Sequence, residues 1–115
     1  MARMARAVGG TMLLAAFALH PRPSAAEGPV SIQVTIRDHV FTPSEIVVPA
    51  HQRAVLIVRN EDATAEEFDS PDLRIEKVIA GHDSGTLRLH ELDPGRYSFV
   101  GEYHSETAKG VVVAK

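Results

Sequence analysis

YSFVGEYHSETAKG, residues Tyr97–Gly110, is the stretch on which the reading of this chain turns. It follows a strong turn signal, Asp93-Pro94-Gly95, and begins as a strand, RYSFVGEY. A histidine then stands between two acids: Glu102, His104 and Glu106 are spaced two apart. On an extended strand such side chains share a face. Two carboxylates flanking an imidazole make half of a site for a divalent ion. The last apolar segment, KGVVVAK, closes the chain.

The segments upstream also read as strands. VSIQVTIRDHVF alternates, with Ile32, Val34 and Ile36 on one side and Ser31, Gln33, Thr35 and Arg37 on the other. EIVVPA is a short strand ended by Pro49. AVLIVRN is a continuous run rich in β-branched residues, as a strand covered on both faces would be. LRIEKVIA alternates again, with Leu73 and Ile75 expected inward and Val78 a third candidate. GHDSG reads as a turn, and TLRLHEL as a strand with Leu87 and Leu89 on one face. Nothing after residue 26 has a helical period of useful length; EDATAEEF is nearest and is short. The expected fold is an all-β, antiparallel Greek-key sandwich of seven to eight strands in one domain, residues 27–115.

Residues 1–26 have the layout of a secretory signal peptide: Arg3 and Arg6, the apolar run Met12–Leu19, and small residues Ser24 and Ala26 before the cut. The run is too short to span a membrane. The layout implies export. Cleavage removes Arg3, Arg6 and Arg22 and no acid, so the formal charge moves from −3 to −6 over the remaining 89 residues. Such a surface repels nucleic acid and attracts cations. Cysteine is absent. That excludes disulfides, thiolate zinc sites, iron–sulfur clusters and cysteine nucleophiles. There is no glycine-rich phosphate loop and no basic stripe. Asp83-Ser84-Gly85-Thr86 is a single copy of an aspartic-protease-like triplet in a chain too short for that enzyme, so no catalytic residue is assigned.

A second acidic stretch, NEDATAEEFDSPD, carries Glu61, Asp62, Glu66, Glu67, Asp69 and Asp72. Taken alone it is a solvated loop. It leaves one apolar strand, however, as GEYH leaves another. If both end at one edge of the sandwich the two acidic clusters meet, and their repulsion calls for a cation. His39, His51, His82 and His90 are read as solvated surface residues.

These motifs, taken in order, resemble the cupredoxins from one end of the mature chain to the other. Blue-copper members carry an Asn-containing strand leading to a first histidine ligand. Near the C-terminus they carry Tyr-x-Phe-x-Cys-x-x-His, a loop, and then Met and Gly before a last strand. Here NEDATAEEF takes the first place and YSFVGEYH the second. Gly101 falls on the cysteine, His104 on the second histidine, and Ala108 or Lys109 near the axial methionine. Glu66 or Glu67 falls near the first histidine, depending on a one-residue register choice. FTPSEIVVPAHQ, NEDATAEEFDS, EKVIAG, LDPGRYSFVGEYH and TAKGVVV together are similar to the EfeO-type cupredoxin-like group of bacterial high-affinity iron uptake. His51 departs from that group, which usually has Gly there.

The resemblance implies a periplasmic metal-binding protein without the blue-copper cysteine. It implies a copper or iron ion as cofactor, and a membrane iron permease and other iron-uptake components as partners of a monomer or homodimer. The implied ligand set is Glu67, with Glu66, Glu76, Glu102 and His104. The competing expectation is a metal-free interaction module that docks on a membrane or periplasmic partner. For the export reading, intact mass of the secreted protein is expected to start at Glu27, and a mass that retains residues 1–26 contradicts cleavage.

Overall fold

The computed structural model describes residues 2–5, 9–16, 18 and 28–115. The expected cleavage site between Ala26 and Glu27 lies outside the described residues. Among the described residues no helix is long and apolar enough to cross a membrane.

From Val30 onward the described residues form strands β1 (Val30–Arg37), β2 (Val40–Thr42), β3 (Glu45–Val48), β4 (Ala54–Asn60), β5 (Glu66–Ser70), β6 (Ile75–Ile79), β7 (Ser84–Leu89), β8 (Gly95–Gly101) and β9 (Lys109–Ala114). They make two facing sheets, ordered β2-β1-β4-β7 and β3-β9-β8-β5-β6. β1 pairs with β4, and β3 with β9, in parallel. The sheets are therefore mixed rather than wholly antiparallel as expected.

Two strands beyond the simple reading of the sequence account for the count of nine. The stretch VSIQVTIRDHVF is not one strand. It folds back at Asp38-His39, so that Arg37 pairs with Val40 and Ile36 with Phe41. Both turn residues have positive φ, 51° and 59°, as a two-residue hairpin turn of the primed type requires. The stretch read as an acidic loop contains β5, whose Glu66, Phe68 and Ser70 alternate inward. Val78 faces out and is 51% exposed, while Ile79 is buried. The pairings Glu66 with Ile79 and Glu67 with Val78 set that phase. His51, where a related sequence would have Gly, sits at φ 61°, the left-handed region that Gly adopts without cost.

Every β4 position from Ala54 to Asn60 except Arg59 is buried or half-buried, in keeping with its apolar composition. Leu56 and Val58 meet Ile36, Ile46, Leu87 and Val112 in one core. Three phenylalanines close that core. Phe99 stacks on Phe68 with centroids 4.6 Å apart, and meets the edge of Phe41 at 5.0 Å. Ser70 Oγ donates to the Ser98 carbonyl (2.7 Å) and accepts the Leu73 amide (3.1 Å), which ties the β5–β6 turn to β8. Because Phe99 is 2% exposed, Phe99→Ala is expected to cost about 3–5 kcal/mol in urea unfolding. A loss well under 1 kcal/mol contradicts this packing.

Candidate metal centre

The acidic loop and the histidine loop do reach the same end of the sandwich. Phe68 in the middle of β5 pairs with Gly101 at the end of β8, and Glu66 begins β5. Strand alternation puts Glu66 on the inward face with Phe68, and Glu67 on the outward one. Glu66 is 1% exposed. Its Oε1 accepts the amides of Tyr103 (2.9 Å) and Glu67 (3.1 Å). Its Oε2 shares a hydrogen bond with His104 Nδ1 at 2.5 Å, with Nδ1–H the donor when Glu66 is ionised.

Gly101 makes room for that carboxyl. A β-carbon at 101 would lie 2.6 Å from Glu66 Cδ and 2.6 Å from Ala108 Cβ. Gly101 has an ordinary φ of −86°, so space and not backbone freedom explains the glycine. The chain beyond it is not extended. Glu102–His104 form a 3-10 turn, and the His104 carbonyl accepts the amides of Thr107 (3.1 Å) and Ala108 (2.9 Å). Glu102, His104 and Glu106 therefore do not share a strand face, because the turn aims the Tyr103 amide back at Glu66. Glu102 and Glu106 stay exposed and line an open depression with His39 and His104.

Glu67 and Glu76 lie together elsewhere, on the outer face of their sheet. Asp69 pairs with Glu76 and Glu67 with Val78, so Glu67 and Glu76 are diagonal neighbours. Partial desolvation, then the hydrogen bond and charge of Glu76, then the charge of Asp69 raise Glu67 above the ordinary carboxyl range, while the Tyr103 hydroxyl pulls it down. Of the five residues expected as ligands, Glu66 and His104 are brought into contact, Glu67 and Glu76 form a separate pair, and Glu102 stands at the lip.

His39 was expected to be a solvated surface residue. It is half-buried, and its ring stacks on His104 with centroids 3.5 Å apart and planes 11° from parallel. A signal was present: the inward phase moves from even positions at Ile36 to odd ones at Phe41, which demands a turn between them. The Asp62 carboxylate holds that turn by accepting the amides of Asp38 (2.8 Å) and His39 (3.0 Å). Buried Asn60 sets Asp62 in place, its Oδ1 accepting the Asp62 amide (3.0 Å) and its Nδ2 donating to the Thr64 (2.8 Å) and Ile79 (3.2 Å) carbonyls. The His39 amide is the largest influence on Asp62 and lowers it below the usual carboxylate value. Burial opposes this, and the Asp38 amide adds to it.

A family model described as "Cupredoxin-like domain" matches residues 10–114. The chain belongs to the cupredoxin-like domain family. A 39% identical relative over 84 residues, an uncharacterized protein of Rickettsia prowazekii (strain Madrid E), covers 73% of this chain and 67% of its own length. The blue copper protein auracyanin A of Chloroflexus aurantiacus superposes with a TM-score of 0.65 over 76% of this chain and 100% of its own, at 15% identity. The metal-binding domain of a Cu(I)-exporting P-type ATPase of Streptococcus pneumoniae gives 0.63 over 74% of this chain and 84% of that one, also at 15% identity. These two likenesses carry the fold.

A thiolate copper centre does not fit this cupredoxin-like chain. It has no cysteine, and the Glu66 carboxyl fills the space a side chain at 101 would need. A harder donor pair is present instead. Two neighbouring donors on one ion, each about 2.0–2.2 Å from it, stand roughly 3 Å apart. Opening the 2.5 Å contact between Glu66 Oε2 and His104 Nδ1 by about half an ångström therefore admits a cation in place of the proton. Among the described residues no three His, Asp or Glu side chains are already arranged to hold an ion.

The lowered Asp62 carboxyl gives this end one source of pH dependence. Its stabilising contribution is present above the ordinary carboxylate range, near pH 4, and is lost as pH falls through the lower folded-state value. Asp62→Ala is accordingly expected to lower the melting temperature most at neutral pH, with the penalty shrinking below about pH 4. An unchanged penalty across that range contradicts the assignment.

Proposed function

We propose that this cupredoxin-like protein is an exported, periplasmic carrier of a first-row divalent cation, serving iron uptake by delivery to a membrane iron permease. The observation that carries the binding half is the buried carboxylate facing an imidazole where a blue-copper site would have its thiolate. Carboxylate and imidazole suit ferrous iron, cupric copper, manganese or zinc, and not a thiolate-dependent electron-transfer centre. The iron half rests on the ordered motifs, FTPSEIVVPAHQ to TAKGVVV, that resemble the iron-uptake cupredoxins. Glu66 and His104 would hold the ion. Such an ion would supply Lewis acidity, and iron or copper also a redox couple. The chain's own part is to orient Oε2 through two backbone amides and to screen one side from water.

One observation favours a metal-free interaction module. Three carboxyls at this end already have protein partners: Glu66 has His104, Asp62 has two amides, and Glu67 has Glu76. Beside them Tyr103 and Val78 are 50% and 51% exposed, an apolar offering to a partner surface.

Calorimetric titration separates the two. Residues 27–115 are expected to bind one Cu(II), or one Fe(II) without oxygen, and to lack the intense visible band of blue copper. Glu66→Gln or His104→Ala is expected to weaken binding at least tenfold, about 1.4 kcal/mol, while His82→Ala and His90→Ala bind like the parent. A parent that binds no ion, or a Glu66→Gln variant of parental affinity, overturns the cation reading.

A further inference from the structure

The β1–β2 turn carries an imidazole that Glu66 and His104 alone do not explain. Its backbone is costly: Asp38 and His39 both adopt the left-handed region, which costs residues with a β-carbon about 1–2 kcal/mol each. Three contacts hold it there. Two are the amides taken by Asp62. The third is Thr107 Oγ1, which donates to the His39 carbonyl at 2.7 Å and ties the turn to the His104 loop. All three engage backbone atoms of the turn. None engages the His39 ring, which lies beside an open depression of about 430 Å³ shared with Glu102 and His104.

We infer that His39 is the third donor of the cation site, so that the loaded site is two imidazoles and one carboxylate, His39, His104 and Glu66. The inference rests on the cation reading given above. Ring lone pairs lie in the ring plane, and two planes 3.5 Å apart and 11° from parallel do not meet at one ion. The stacked form is therefore the empty form. With imidazole–metal distances of about 2.0–2.1 Å, His39 must leave the stack by a swing on the order of 1–2 Å at the ring. Rotation about its side-chain bonds supplies that swing while Asp62 and Thr107 keep the backbone fixed. Two histidines and one carboxylate with the remaining positions open form a donor set suited to ferrous iron, and also to zinc. The open positions face the depression bordered by Glu102 and Glu106. The ligand class is thus a first-row divalent cation that keeps water or a second ligand of its own.

The test counts imidazoles on the ion. Pulsed electron paramagnetic resonance of Cu(II)-loaded residues 27–115 is expected to report two coordinated imidazoles in the parent. It is expected to report one in His39→Asn, which keeps a residue tolerant of positive φ. Titrated with Cu(II), and with Fe(II) and Zn(II) in parallel, His39→Asn is expected to bind at least tenfold more weakly than the parent. A parent with a single imidazole, or a His39→Asn variant of parental affinity, overturns the third donor and leaves the Glu66–His104 reading standing. A parent that takes up none of the three ions overturns both. The parent's imidazole count decides the matter even where the variant folds poorly.

Discussion

A buried carboxyl group is the constraint around which this end of the molecule is built. Taking an ionised carboxylate out of water costs several kcal/mol unless donors replace the water. Glu66 is 1% exposed, so its environment has to supply those donors. The 3-10 turn after β8 is shaped to bring the Tyr103 amide and the His104 ring to it. The loop then returns to β9 with the Gly101 amide donating to the Ala108 carbonyl at 2.7 Å. Gly101 and Glu66 are complementary in volume: one lacks the β-carbon whose place the other's carboxyl occupies. A side chain at 101 and the Glu66 carboxyl where it stands would compete for this space.

The same economy extends to the other acids of the cluster. An excess of carboxylates at one end should repel, and the fold answers with its own donors. Asp62 accepts two turn amides; away from this end, in the turn after β5, Asp72 Oδ2 accepts the Ser98 amide at 3.1 Å and hydroxyl at 3.2 Å. Glu67 shares its outer face with Glu76 and Tyr103. On the proposed function, an ion entering between Glu66 and His104 has to displace a good hydrogen bond, and leaves when that bond is remade. Such a site favours carriage and handover over permanent retention.

Much of this was legible in the sequence because it depends on local pattern. Period-two alternation and β-branched runs marked most of the strands, and the absence of cysteine ruled out a thiolate centre. What was hidden depends on phase or on space. Asp38-His39 looked like the middle of a strand, yet inward Ile36 and Phe41 are an odd number of residues apart. Counting that phase would have exposed the hairpin and with it His39. The same parity separates Glu66 from Glu67, since an inward Phe68 carries Glu66 inward with it. Val78 was a candidate for the inward face for lack of a register with β5, and Ile79 is the residue buried there. The contact between Glu66 and His104 spans 38 positions, and no local pattern announces it. The 3-10 turn at Glu102–His104 has no glycine or proline within it to break an extended reading.

In the metal-free protein the His104 ring is held by Glu66 through Nδ1. Proton–nitrogen NMR of the histidine rings in labelled residues 27–115 at neutral pH reads this contact. One slowly exchanging, far-downfield ring proton on Nδ1 is expected, present in the parent and absent from His104→Ala. A His104 ring whose nitrogens exchange with solvent as freely as those of His82 and His90 would contradict it.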